Sequence, residues 1–143
     1  MSKQALCAVL GAIGGAISAA FGGWDASLQI LGLFMGVDYV TGLIVAGVFH
    51  KSNKTANGTL ESRAGLKGLL RKFAMLAVVC VAHAVDVLMG TAFVRDAVVV
   101  GFAANEGLSI LENAALMGAP IIPDALKNSL EVLKEKSGGA DGK

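Results

Sequence analysis

Charge is scarce in this chain. Charged residues make up 16% of its 143 positions, where an ordinary soluble domain carries about 25%. Hydrophobic residues reach 55%, and the mean hydropathy is +0.67. These values exclude a soluble globular domain and indicate a small all-α integral membrane protein. The net charge of +1 leaves no basic excess, and no nucleic-acid partner is expected. Tyr and Trp occur once each, so an aromatic belt at the membrane surfaces is nearly absent. Cys7 and Cys80 both fall inside apolar segments, where they read as small buried hydrophobes and not as a disulfide. No set of His and Cys shows metal-ligand spacing, so no metal is expected. A phosphate-binding glycine loop and a nucleophile context are also missing, which argues against an enzyme or a cofactor.

What the chain does contain is four apolar segments near the roughly 20 residues needed to cross a bilayer. They run from about Ala5 to Gly22, Ser27 to Phe49, Phe73 to Met89 and Val94 to Met117. The first two are joined through Gly23, Trp24 and Asp25, and the last two turn near Gly90 and Thr91, so the spans form two hairpins. Between the hairpins lies a polar loop, 50–72, with an Asn57-Gly58 turn signal. Its second half places Arg63, Lys67 and Arg71 at four-residue spacing with Lys72 next to them. Leucines offset from that row suggest a basic amphipathic helix on the cytoplasmic membrane surface, in contact with membrane lipids. Residues 1–122 thus form a transmembrane domain, and 123–143 a short cytoplasmic helix opened by Pro123 and followed by a disordered tail from Ser137. Of the twelve Lys and Arg residues, only Arg95 lies outside if both termini are cytoplasmic, so N-in, C-in is expected. A signal-peptidase site at Ser18-Ala19-Ala20 is a weaker reading of the first segment.

Four carboxylates, Asp38, Asp86, Glu106 and Glu112, interrupt these segments. Each costs about 2.5–3.5 kcal/mol against lipid at a helix centre, so each needs a partner or water. At about 100° per residue, Asn105, Glu106, Ser109, Glu112 and Asn113 fall on one arc of the fourth span. That stripe, with Asp38, forms either a bundle's hydrogen-bond network or the wall of an aqueous path. His83 and Asp86 are neighbours at three-residue spacing near the outer end, where Arg95 is expected to reach Asp86 across the turn. Gly11, Gly15, Ala19 and Gly23 make one row of small residues, and Gly14, Ser18 and Gly22 a second. Such rows let helices approach closely in lipid, within one subunit or between subunits.

Three strings, in this order and spacing, resemble the toxin-secretion/phage-lysis holin family: Asp38-Tyr39-Val40-Thr41-Gly42, Arg63-Ala64-Gly65-Leu66-Lys67-Gly68-Leu69, and Asn105-Glu106-Gly107-Leu108-Ser109-Ile110-Leu111-Glu112-Asn113, the last followed by Met117-Gly118-Ala119-Pro120. The likeness covers about Leu31 to Leu133. It implies a phage or prophage holin, a multi-pass protein of the bacterial inner membrane that forms homo-oligomers and opens lesions. Endolysin, or a toxin, would then pass as cargo without being bound, and the host would lyse. Control by a second start codon is not expected, because the next methionine after Met1 is Met35. The alternative from the residues alone is a small ion-conducting or proton-coupled transport protein; a membrane-anchored scaffold is a third.

Overall fold

The computed structural model describes residues 1–138. Among the described residues five helices are formed: α1 Lys3–Ala20, α2 Ala26–Gly47, α3 Ser62–Met89, α4 Val94–Leu116 and α5 Asp124–Gly138. Their ends follow from local chemistry. Ser2 accepts a hydrogen bond from the Ala5 N–H at 3.2 Å and Asp25 one from the Leu28 N–H at 3.0 Å, capping α1 and α2. Gly90 ends α3 in the left-handed conformation at φ 67°. The N-terminus of α4 is capped from another helix: the Asp86 carboxylate accepts from the Val94 and Arg95 N–H groups at 3.1 and 2.8 Å. A carboxylate there satisfies orphan donors and the positive end of the helix dipole together.

Helices α1, α2 and α3 are long and apolar enough to cross a membrane. α4 has 23 residues but is not among them, since Asn105, Glu106, Glu112 and Asn113 lower its hydropathy. The expected surface helix before the third span is not a separate element. Residues 62–72 are the first turns of α3, which runs unbroken for 28 residues, about 42 Å at 1.5 Å per residue. Gly65 and Gly68 lie within it against Tyr39: a Cβ there would make ordinary van der Waals contact, 3.6 Å from the hydroxyl and 3.7 Å from the ring. The Tyr39 hydroxyl also donates to the Gly65 carbonyl at 3.3 Å. The tail was expected to begin at Ser137, but Ser137 and Gly138 belong to α5; 139–143 lie outside the described residues.

α4 is the central helix and packs on α2, α3 and α5, whereas α1 touches only α3. Asp25 faces Arg95 and Asp38 faces Asn113, so α2 and α4 run parallel. Lys72 faces Glu106 and Asp86 faces Val94, which makes α3 antiparallel to α4. Leu28, Leu31, Met35, Val79 and Val99 form the apolar core at this three-helix junction. Val99, Glu106 and Asn113 are all buried and seven apart, one face of α4 continued over two heptads. The outer faces of α1 and α2 are apolar: Val9, Leu10, Ile13 and Ile17 of α1 and Leu33, Val37 and Val40 of α2 are exposed, a surface suited to lipid. Cys7 is exposed on α1 and Cys80 half-buried, so neither is the fully buried hydrophobe expected.

Candidate functional site

The polar centre of the bundle is built on one cation. Lys72 Nζ lies 2.7 Å from Asp38 Oδ2 and also pairs with Glu106 Oε2. Its side chain is 12% exposed, and those of its partners 5% and 6%. Lys72, expected on the surface with Arg63, Lys67 and Arg71, is therefore set apart from them: those three are exposed and Lys72 is not. One residue beyond Arg71, it is turned about 100° off their row and points into the α2–α3–α4 junction. That rotation was the available signal for its different role. Asn113 completes the network: its Nδ2 donates to Asp38 Oδ1 at 3.1 Å, to the Asp38 carbonyl at 3.2 Å and to Thr41 Oγ1 at 2.9 Å. With all three groups ionised, Lys72, Asp38 and Glu106 carry one net negative charge.

The stripe on α4 is divided by this packing. Glu106 and Asn113 are buried against α2 and α3; Ser109 is half-buried; Asn105 and Glu112 are exposed. Asp38, Asn105, Glu106, Ser109 and Glu112 border a cavity of about 360 Å³. Lys54 from the 50–61 loop, Arg71 and Lys72 from α3 and Lys134 from α5 border it too, so charges of both signs surround space large enough for water.

At the other end of the bundle, Arg95 does not reach Asp86 with its side chain. The capping bond to Asp86 uses the Arg95 backbone N–H, and Thr91 donates its hydroxyl to the same carboxylate. The guanidinium instead turns to the α1–α2 connection, donating to the Phe21 and Gly23 carbonyls and to both Asp25 oxygens, at 2.7 and 3.2 Å. These Arg95 hydrogen bonds hold the Asp25 carboxyl below its ordinary value. His83 sits half-buried beside this clasp, against Gly22. Gly22 has φ +78°, and a Cβ there would come within 2.6 Å of His83 Nδ1, so only glycine fits the turn.

Among the described residues, the glycines of the α1 rows meet no side chain from another element, apart from Gly22 in the turn that follows α1. No residue of α1 is buried, and a Cβ at Gly11, Gly14 or Gly15 would have nothing within 4 Å. Ser18 is half-buried and Ala19 exposed.

A family model described as the bacteriophage holin family matches residues 15–135. An uncharacterised protein of Listeria innocua is 38% identical over 124 residues, covering 86% of this chain and 82% of its own. An uncharacterised protein from the nagH 3′ region of Clostridium perfringens is 40% identical over 118 residues, covering 81% and 83%. A "Probable holin" of Bacillus phage phi105 is 36% identical over 99 residues, covering 68% and 67%. No solved structure matches.

Proposed function

Since this chain belongs to the bacteriophage holin family, we propose that it assembles in the bacterial inner membrane and opens lesions through which an endolysin, or a toxin, leaves the cell. The observation that carries this reading is the buried Lys72–Asp38–Glu106 cluster, one amine against two carboxyl groups, in a bundle whose α1 and α2 surfaces are apolar. Kinship with a "Probable holin" of a Bacillus phage supports the holin role. The parallel packing of α4 beside α2 supports a fourth span, and the placement of Lys and Arg supports cytoplasmic termini.

In the energised membrane the ionic centre stays paired within compact bundles. Moving one charge across the field is worth about 2.3 kcal/mol per 100 mV, comparable with the roughly 2.5–3.5 kcal/mol cost of a carboxylate facing lipid. Depolarisation therefore has enough leverage to release a rearrangement. Subunits then associate through the small-residue faces of α1, and the outer edge of the α4 stripe, Asn105 and Glu112, turns to an aqueous lumen while Asp38 stays with Lys72 and Glu106. Asn105 and Glu112, already exposed, are the part of the stripe ready for that water.

The test is to induce the chain alone and follow viability and membrane potential, then to co-express an endolysin and a folded cytoplasmic reporter. Abrupt depolarisation with release of the reporter is expected. Depolarisation without release would replace the lesion with a narrow ion path, the reading that the 360 Å³ polar cavity otherwise favours. Glu106→Gln with Glu112→Gln should shift the time of lysis; unchanged timing and unchanged oligomers would remove the stripe from the mechanism.

A further inference from the structure

We propose that α5 is a water-side cover for α4, folding back along it when that side of the bundle faces an aqueous lumen and leaving it when that side faces lipid. The inference rests on the lesion-forming function above. α5 lies antiparallel on α4. Leu130 fills the space beside Gly107, where a Cβ would be 3.1 Å from its methyl carbon. One helical segment further along, a Cβ at Gly101 would be 3.1 Å from Ser137 Cβ. Two glycines on α4 thus provide the close approach, and α5 reaches past the midpoint of α4 toward its N-terminal end.

This position conflicts with a lipid neighbour. α4 runs beside α2, which is long and apolar enough to cross a membrane, so α5 shares that depth. Yet α5 has no buried residue, and Lys127, Glu131, Lys134, Glu135 and Lys136 are all exposed on it. Five charges set against hydrocarbon would each carry the cost of an unpaired ion at membrane depth. Water removes that cost. The same side of the bundle also exposes Asn105 and Glu112, and Lys134 shares the polar cavity with them. The docked arrangement is therefore one in which α5 and the outer edge of the α4 stripe together border water. In lipid, α5 is released to the cytoplasmic side, to which the 117–123 turn connects it.

The geometry supplies a direct test. In a Cys7→Ala, Cys80→Ala background, Gly101→Cys with Ser137→Cys places the two Cβ atoms close to the roughly 3.5–4.5 Å of a disulfide. Cells making the full chain receive a mild thiol oxidant before, or just after, a depolarising agent triggers the lesion. Cross-linked chain is expected to rise at least several-fold after opening. A yield that is equal at both times, absent at both, or higher before opening overturns the proposal. Should side chains at position 101 disturb folding, spin labels at Asp96→Cys and Lys136→Cys in reconstituted vesicles keep the question open to measurement. A short-distance population confined to vesicles that have become permeable supports the cover, and one long distance throughout overturns it. Permeabilisation by the cysteine-free parent is scored in parallel. Loss of that activity would refute the lesion reading, whereas lesions without the change at α5 would refute the cover alone.

Discussion

At Lys72 one ammonium faces two carboxylates, and this arithmetic decides what substitution does. Glu106→Gln leaves a neutral Lys72–Asp38 pair and an amide that still accepts a hydrogen bond, so little stability should be lost. Lys72→Met leaves two buried carboxylates uncompensated and should cost about 3–5 kcal/mol. Thermal unfolding in detergent, followed by circular dichroism, separates the two; equal losses would mean that Lys72 is not the keystone. Asp25 gives a pH prediction. Its carboxyl is held below the ordinary 3.8 by Arg95, so the clasp contributes fully at neutral pH. That contribution is lost only as pH falls through the depressed folded value. The effect is small, because the Asp25 side chain is 47% exposed. Asp25→Asn should lower stability at pH 7 and flatten the acid limb of the stability curve; an acid limb identical to the parent's would dissociate Asp25 from it. At this scale the sequence made Asp38 and Glu106 conspicuous by their setting. It left Lys72 hidden, since a lysine beside a basic row looks like one more surface charge until the helix is turned through 100°.

The helices themselves were largely legible, because apolar length and small polar turns suffice to place them. The basic helix expected before the third span is present at 62–72, but it continues into that span without a boundary, because composition changes there while nothing in the sequence stops the backbone. The glycines of α1 and of the turn after it look alike in sequence yet differ in consequence. Gly22→Ala forces a side chain into positive φ and into His83, and should destabilise by about 1–3 kcal/mol. Gly11→Ala meets open space in an ordinary helix and should be neutral or stabilising by about 0.5–1 kcal/mol. Melting curves of the two variants check this; similar losses at both would show that α1 is packed throughout its length. The pairing of elements was less accessible. Arg95 is the residue after Val94 in every reading of the turn, but its side chain serves the α1–α2 connection some seventy residues earlier, a contact that no local pattern encodes.

For the molecule as a whole, the unoccupied face of α1 is the feature that one chain leaves unfinished. Gly15→Leu should leave the unfolding of the isolated subunit unchanged, because a Cβ there meets no atom of another described element within 4 Å. It should block assembly if that face joins subunits, as a ladder of cross-linked species in membranes would reveal; undiminished oligomers would move the interface elsewhere. By itself the sequence determined the all-helical class, the membrane as solvent and the presence of expensive polar groups at depth, since hydropathy and residue spacing act locally and need no partner. Only the tertiary structure decided which of those groups meet. Asn113 and Glu106 turn inward while Asn105 and Glu112 stay exposed, Lys72 joins the carboxylates, Arg95 clasps Asp25, and α5 lies on α4. Each of these depends on how α2, α3 and α4 are rotated against one another. That rotation is set by the fit of the Leu31, Val79 and Val99 core and by ion pairs distant in sequence.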